Sequence, residues 1–278
     1  MSDIEAKVLP LIRQTRGMLM PSYGKVENVE FKSASGHDVV TELDRSVERF
    51  LKAELQTLYP DVAFVGEEYG GDRNAERFWL CDPIDGTGLF IRGLEGCTTM
   101  LALVENGQVN FGVIYDFVKD IAYHAERGKG AFAGKTPIQV STRPFDKSYF
   151  CYETRARNPD DERRFLSLRR STHLMKVMCA GYEHVLVATG KVEGRVNFDP
   201  WGKDYDYAAG TLLIEEAGGI VANLSKRTYD YHNYNYIAAN PDSFKALTTN
   251  RRVERALSDR VAQRRLSQGQ PPILLPCG

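Results

Sequence analysis

Two short apolar runs in the first third of the sequence each end in acidic residues. The first, 61–65, leads into Gly66-Glu67-Glu68, and the second, 77–82, leads into Asp82-Pro83-Ile84-Asp85-Gly86-Thr87. Short apolar runs that stop at Gly and Pro are typical of buried strands. Strands that end together bring their loops to the same edge of a sheet. We therefore expect the carboxylates of these two loops to lie close together.

The remaining periodicity predicts a chain of mixed helices and strands. Apolar residues recur every three or four positions over 41–58, which indicates an amphipathic helix. Turn signals separate three β-rich runs, 97–105, 108–117 and 120–126, and predict an antiparallel meander. Further elements are expected in the second half, as helices at 160–170, 182–189 and 207–217 and strands at 220–222 and 236–239. A change of pattern after Ser141 suggests regions 1–140 and 141–266, followed by an irregular tail, 267–278.

Charge and cysteine content narrow the class of protein. Lys and Arg total 36 against 37 Asp and Glu, and a net charge of −1 creates no field that favours nucleic acid. The five cysteines are scattered without a CxxC pair, which argues against a disulfide framework or a structural zinc site. The start of the sequence lacks a secretion-signal pattern, and no apolar stretch approaches ~20 residues. We expect a cytoplasmic protein without membrane or nucleic-acid partners.

The acidic loops have the composition of a magnesium site. Mg²⁺ prefers oxygen ligands at ~2.1 Å, and two ions ~4 Å apart can hold both the attacking and the leaving oxygen of a phosphate ester. Asp82 and Asp85 fit such a site, and Asp206, before the predicted helix at 207–217, is a further candidate. Each of these residues also has an ordinary interpretation, because Asp-Pro and Asp-Gly form turns and Asp206 can cap a helix. Only their combination favours a site.

Four blocks of the sequence occur in the order found in a known family. They are 38–44, 66–68, 79–90 with Asp-Pro-Ile-Asp-Gly-Thr at its centre, and 205–219, which begins Tyr-Asp-Tyr-Ala-Ala-Gly and ends Glu-Ala-Gly-Gly. From about residue 32 to residue 240 the chain resembles the inositol monophosphatase family, in the group that includes fructose bisphosphatases and nucleotide bisphosphate phosphatases. The resemblance implies a layered αβαβα sandwich, a homodimer, and Mg²⁺-dependent release of phosphate with two or three ions per site.

Matched residue by residue, the resemblance implies a role for each acidic block. The implied metal ligands are Glu67, Asp82, the carbonyl of Ile84, Asp85 and Asp206. The groups implied to hold and activate the attacking water are Asp44, Glu67 and Thr87. The groups implied to hold phosphate are Asp85, Gly86 and Thr87. Residues expected around these groups are Glu68 and Lys32. The predicted substrate contacts are Asp199, Lys203 and Asp204.

Three functions stay open at this point. The first is a Mg²⁺-dependent phosphatase that acts on a small soluble ester, such as an inositol, sugar, polyol or nucleotide phosphate. The second is a metal- and phosphate-binding regulatory protein with weak or no hydrolysis, suggested by Leu89 at a position where the family usually has Asn. The third, a glycosidase with two carboxylates and no metal, is disfavoured because clustered aspartates repel one another without a cation.

Overall fold

The structure is a computed structural model that describes residues 2–25, 30–31, 39–40, 42–224 and 226–249. Lys32, Cys277 and the predicted tail at 267–278 lie outside these residues. Among the helices that are described, none is long and apolar enough to cross a membrane.

The described residues form seven α-helices and fourteen strands. The helices are α1 (Asp3–Leu19), α2 (Glu42–Leu58), α3 (Thr87–Ile91), α4 (Pro159–Ser171), α5 (Ala180–Ala188), α6 (Asp204–Glu216) and α7 (Pro241–Thr249). The strands are β1 (Glu30–Phe31), β2 (Val39–Val40), β3 (Ala63–Gly66), β4 (Arg77–Asp85), β5 (Thr98–Glu105), β6 (Gln108–Asp116), β7 (Ile121–Glu126), β8 (Ala131–Ala133), β9 (Thr136–Pro137), β10 (Tyr149–Glu153), β11 (His173–Met175), β12 (Gly194–Asn197), β13 (Ile220–Asn223) and β14 (Tyr236–Ala239).

Two large sheets organise the fold. The first has the order β3-β4-β5-β6-β7-β8-β9, in which β3 and β4 are parallel and the later neighbours are antiparallel. The second has the order β11-β10-β12-β14-β13 and mixes parallel with antiparallel pairs. A short antiparallel ladder joins β1 to β2. The loops after β3 and β4 leave the first sheet at the same edge, because these two strands run in the same direction.

The helices cover both faces of both sheets. Alternate residues of β4 face opposite ways, so that Trp79 joins a core with α1 and α2 while Leu80 joins a core with α5, α6 and the second sheet. A third core, on the other face of the second sheet, includes Leu168 of α4 and Leu247 of α7. The layers therefore follow the order helices, sheet, helices, sheet, helices, and the predicted layered αβαβα fold is confirmed.

Most of the predicted elements lie where the sequence placed them, with two differences at the acidic segments. The strand predicted over 77–82 continues to Asp85, so Asp82 and Asp85 belong to a strand rather than to a loop. The helix predicted over 207–217 begins at Asp204, which puts Asp206 inside the first turn instead of before the helix. The first large sheet ends at Pro137 and the second begins at Tyr149, while the division at residue 140 stays a prediction about folding units.

Candidate metal and phosphate site

A β-bulge in β4 brings two aspartates together. Residues three apart in a regular strand point to opposite faces of the sheet. Here Asp82 lies opposite Met100 of β5 and Asp85 lies opposite Thr98. Between these two pairs β4 therefore has two residues where β5 has one. The extra residue reverses the alternation and returns Asp85 to the face of Asp82. Both side chains are buried.

The first turn of α6 adds a third carboxylate. One carboxylate oxygen from each of Asp82, Asp85 and Asp206 lies within 4.8 Å of the others. The Asp206 side chain is fixed because its Oδ2 accepts a hydrogen bond from the Lys203 N–H at 2.6 Å. Close packing of α6 on the first sheet sets its position, since a Cβ on Gly112 of β6 would lie 2.9 Å from the Cα of Ala209.

Glu67 approaches the same cluster from the turn after β3. Its carboxyl group lies close enough to hydrogen bond to Asp82 and to repel its negative charge. A buried carboxylate in α2 holds the turn, because Glu48 Oε2 accepts from the N–H of Glu68 at 2.7 Å and Glu48 Oε1 accepts from that of Tyr69 at 3.0 Å. Gly66 makes room for it, since a Cβ there would lie 1.9 Å from Glu48 Oε1.

An ion pair ties the loop after the Glu67 turn to the start of α6. Arg73 donates from Nε and Nη2 to the two carboxylate oxygens of Asp204, at 2.6 and 3.1 Å. A bidentate pair of this kind fixes orientation as well as distance. The pair therefore helps to hold Glu67 near Asp206. Neither Arg73 nor Glu48 was predicted to take part in the site.

The cluster carries a strong electrostatic penalty in the absence of a cation. Burial, followed by repulsion from Glu67 and Asp85, raises the pKa of Asp82 well above its usual value. Burial, followed by repulsion from Asp85 and Glu67, does the same to the pKa of Asp206. In addition, Asp82 Oδ1 is buried without a hydrogen-bond partner among the described residues. A divalent cation would neutralise the charge and satisfy that oxygen, so this donor set fits Mg²⁺.

The amino-terminal end of α5 supports Asp85. The Asp85 carboxylate accepts hydrogen bonds from the N–H of Ala180 at 3.2 Å, from the N–H of Gly181 and from the Cys179 thiol at 2.9 Å. Burial is the main cause that raises the pKa of Asp85, and these hydrogen bonds oppose it. Gly181 is needed here, because a Cβ would lie 2.9 Å from Asp85 Oδ2 and 2.5 Å from Thr98 Oγ1.

Thr87 and Asp44 form a second small group beside the aspartates. Thr87 Oγ1 lies 2.9 Å from the carbonyl oxygen of Ile84 and 3.3 Å from Asp44 Oδ1. Asp44 is buried in the first turn of α2. Gly86 precedes α3 with φ of +84°, a conformation that favours glycine, and the chain turns there into the helix. The first N–H groups of a helix have no acceptor within it, so they are available to an anion.

The predicted substrate contacts lie in different surroundings. Asp199 forms ion pairs with the guanidinium groups of Arg155 and Arg157. Asp204 is buried in its pair with Arg73. Lys203 extends over the ring of Tyr205, with Nζ 6.0 Å from the ring centre. Glu68, which was expected around the metal and phosphate groups rather than at the substrate, is half-buried and follows Glu67 directly.

Comparison with known proteins finds relatives along nearly the whole chain. The profile of the "Inositol monophosphatase family" matches residues 4–257. A Thermotoga maritima protein named fructose-1,6-bisphosphatase/inositol-1-monophosphatase is 32% identical over 236 residues, which cover 84% of this chain and 89% of that protein. The Nus factor SuhB of Pseudomonas aeruginosa is 28% identical, with 85% and 91% coverage. The solved structure of a Thermotoga maritima IMPase superposes with a TM-score of 0.80 at 27% identity, covering 94% of this chain and 99% of that one.

Proposed function

The chain belongs to the inositol monophosphatase family, and from that membership we propose that it is a Mg²⁺-dependent phosphatase of a small phosphate monoester. Relatives are named as phosphatases, which supports hydrolysis of a phosphate ester as the reaction. In this proposal two or three ions bind at Glu67, Asp82, the Ile84 carbonyl, Asp85 and Asp206. The protein acts as a homodimer in the cytoplasm.

One observation carries the proposal. One carboxylate oxygen from each of Asp82, Asp85 and Asp206 lies within 4.8 Å of the others, and Asp82 and Asp85 are buried. Asp82 Oδ1 has no hydrogen-bond partner among the residues that the structure describes. A fold gains nothing by burying such a cluster without a positive charge to compensate it. A divalent cation that binds oxygen accounts for the cluster.

The surrounding residues would perform defined parts of the reaction. When bound, Mg²⁺ supplies positive charge that compensates the phosphate and makes water more acidic. Thr87 would accept a hydrogen bond from the attacking water and donate to Asp44, so that the water is oriented and its proton would pass through the Thr87 hydroxyl to the Asp44 carboxylate. Glu67 would accept a second hydrogen bond from the same water. The N–H groups of Gly86 and Thr87 would bind phosphate oxygens.

A second candidate function is regulation by binding, with weak or no hydrolysis. It is favoured by the relatives that are named Nus factors rather than phosphatases. Leu89, in place of the usual Asn, stabilises its segment by packing against the core that contains α1 and α2. Hydrolysis is therefore the stronger proposal.

Phosphate release from a panel of inositol, sugar, polyol and nucleotide phosphates separates the two functions. With millimolar Mg²⁺ we expect turnover of at least one ester in the range of ~1–10³ s⁻¹ that is typical of enzymes. Removal of the metal with a chelator should reduce it to background, and added Mg²⁺ should restore it. Absence of release from every ester, in a protein that still binds Mg²⁺, would favour the regulatory function instead.

A further inference from the structure

The second sheet buries an arginine on the face that packs against α5 and α6. Arg195 belongs to β12, the central strand of that sheet, and its side chain is only 1% exposed. Nη1 donates to Glu183 Oε2 at 2.6 Å, and Nη2 donates to Glu153 Oε2 at 2.6 Å. Nε donates to Asn197 Oδ1 at 2.9 Å. The planar guanidinium therefore binds α5, β10 and its own strand at the same time.

One path of hydrogen bonds leads from this guanidinium to Asp85. Arg195 Nη1 also donates to the carbonyl oxygen of Ala180 at 3.2 Å. That carbonyl shares a planar peptide unit with the N–H of Gly181, which donates to Asp85 Oδ2. Donation to the carbonyl strengthens the N–H as a donor, because hydrogen bonds in a chain polarise one another. The position of Asp85 therefore depends on where Arg195 holds the first turn of α5.

A second path leads from the same guanidinium to Asp206. Glu153, which binds Arg195 with Oε2, accepts with Oε1 from the N–H groups of Trp201 and Gly202 at 2.9 and 3.0 Å. This loop lies directly against the carboxylate, since a Cβ on Gly202 would be 3.1 Å from Asp206 Cγ. The next N–H of the loop is the one that donates to Asp206 Oδ2. The position of Asp206 therefore depends on Glu153 and, through it, on Arg195.

We propose that Arg195 is a positioning residue that fixes Asp85 relative to Asp206 and thereby sets how tightly the carboxylate cluster binds a divalent cation. This inference rests on the proposed function, and Arg195 acts through other groups without touching the ion. A buried group of arginine and carboxylates adds little to stability compared with apolar side chains of similar volume, so stability does not account for it. Replacement of residues that orient metal ligands, in contrast, costs roughly 10–100-fold in metal affinity or activity.

Arg195→Lys keeps the positive charge and removes the link. A single ammonium group lacks the planar fork of donors, so it can bind Glu183 or Glu153 but does not span both. We expect the Kd for Mg²⁺, measured by titration calorimetry without ester, to rise about tenfold or more. At saturating Mg²⁺ kcat should fall by a similar factor, while KM changes less than about threefold. The titration is made at pH 8, because burial raises the pKa of Glu183 to about 7.

A triple variant separates positioning from stability. Arg195→Met with Glu153→Gln and Glu183→Gln removes all three buried charges, so no ion is left without a partner. Each glutamine keeps one oxygen for the loop N–H groups that the glutamates now hold, at Val177 and at 201–202. We expect the metal-free Tm to lie near that of the unchanged protein and the weak Mg²⁺ binding to persist. This variant also decides the question if Arg195→Lys is too unstable to titrate.

Arg143→Lys is the matched control at the other end of the same strand. Arg143 Nε donates to Glu193 Oε1 at 2.6 Å, and Glu193, directly before β12, is as deeply buried as Arg195. The substitution breaks an ion pair of the same kind without altering either path to the aspartates. We expect its Mg²⁺ affinity to match that of the unchanged protein, whatever the change in Tm.

The outcomes separate this inference from the proposed function. Unchanged Mg²⁺ affinity in Arg195→Lys, normal affinity in the triple variant, or an equal loss in Arg143→Lys would overturn the positioning role. An unchanged protein that binds Mg²⁺ but releases phosphate from no ester would overturn the proposed hydrolysis, while weaker binding in the Arg195 variants would still support the positioning role. An unchanged protein that binds no Mg²⁺ would overturn both.

Discussion

Asp85→Asn is expected to lower kcat/KM for a phosphate ester by roughly a thousandfold. The substitution keeps the size of the side chain but removes one negative charge and one oxygen from the cluster. The neutral amide also presents N–H donors toward the N–H groups of Ala180 and Gly181, which now donate to the carboxylate. Both changes weaken the binding of a cation at this point. Steady-state phosphate release over a range of Mg²⁺ concentrations measures the effect.

Glu5→Gln provides the matched control for that experiment. Glu5 is also a buried carboxylate, but it caps α1 by accepting from the Ser2 N–H. It lies 3.3 Å from His124 of β7, a strand that β5 and β6 separate from β4. We expect this variant to keep its turnover. Thermal unfolding of the metal-free proteins should show that Asp85→Asn is folded, because it relieves repulsion within the cluster. Turnover within a few-fold of the unchanged protein in Asp85→Asn would remove this aspartate from the site.

Addition of Mg²⁺ is expected to raise the Tm of the protein, and to raise it more at pH 8 than at pH 5. An ion present at 100 times its Kd contributes about 2.7 kcal/mol to the free energy of unfolding. For a chain of this size that corresponds to a rise in Tm of about 5–10 °C. Differential scanning calorimetry at both pH values, with NaCl of equal ionic strength as the control, measures the gain.

The pH dependence follows from the raised pKa values of Asp82 and Asp206. In the metal-free folded protein these groups hold protons that unfolded aspartates, with a pKa of about 3.9, have already released. The folded state binds more protons, so its stability falls as the pH rises from about 4 through the raised pKa. At low pH protons compete with Mg²⁺ for the same oxygens. A gain in Tm that is equal at both pH values, or that NaCl reproduces, would contradict this explanation.

The sequence predicted the parts of the fold that depend on local pattern. The apolar spacing of α2 and the turn signals between β5, β6 and β7 identified those elements within a few residues. The bulge of β4 was not predicted, although it is what brings Asp82 and Asp85 to the same face. A bulge depends on pairing with β5, and residues 82–85 alone also fit a simple turn.

The residues that support the site were harder to predict, because their partners are distant in sequence. Arg73 pairs with a residue 131 positions away, and Arg155 with one 44 positions away. One of them did carry a usable signal. Glu48 lies on the buried stripe of α2 with Val47 and Leu51, and a carboxylate on an apolar stripe indicates a buried polar partner. In this protein the partner is the turn that carries Glu67.

The most direct test of a cation bound among these carboxylates is a crystal structure with Mn²⁺ in place of Mg²⁺, because Mn²⁺ uses similar oxygen ligands and can be located by its anomalous scattering. We expect two anomalous peaks about 4 Å apart, with Asp82 contacting both and Asp85 and Asp206 contacting one or the other. Peaks only at other acidic groups, or no peak within bonding distance of Asp82, would contradict the account.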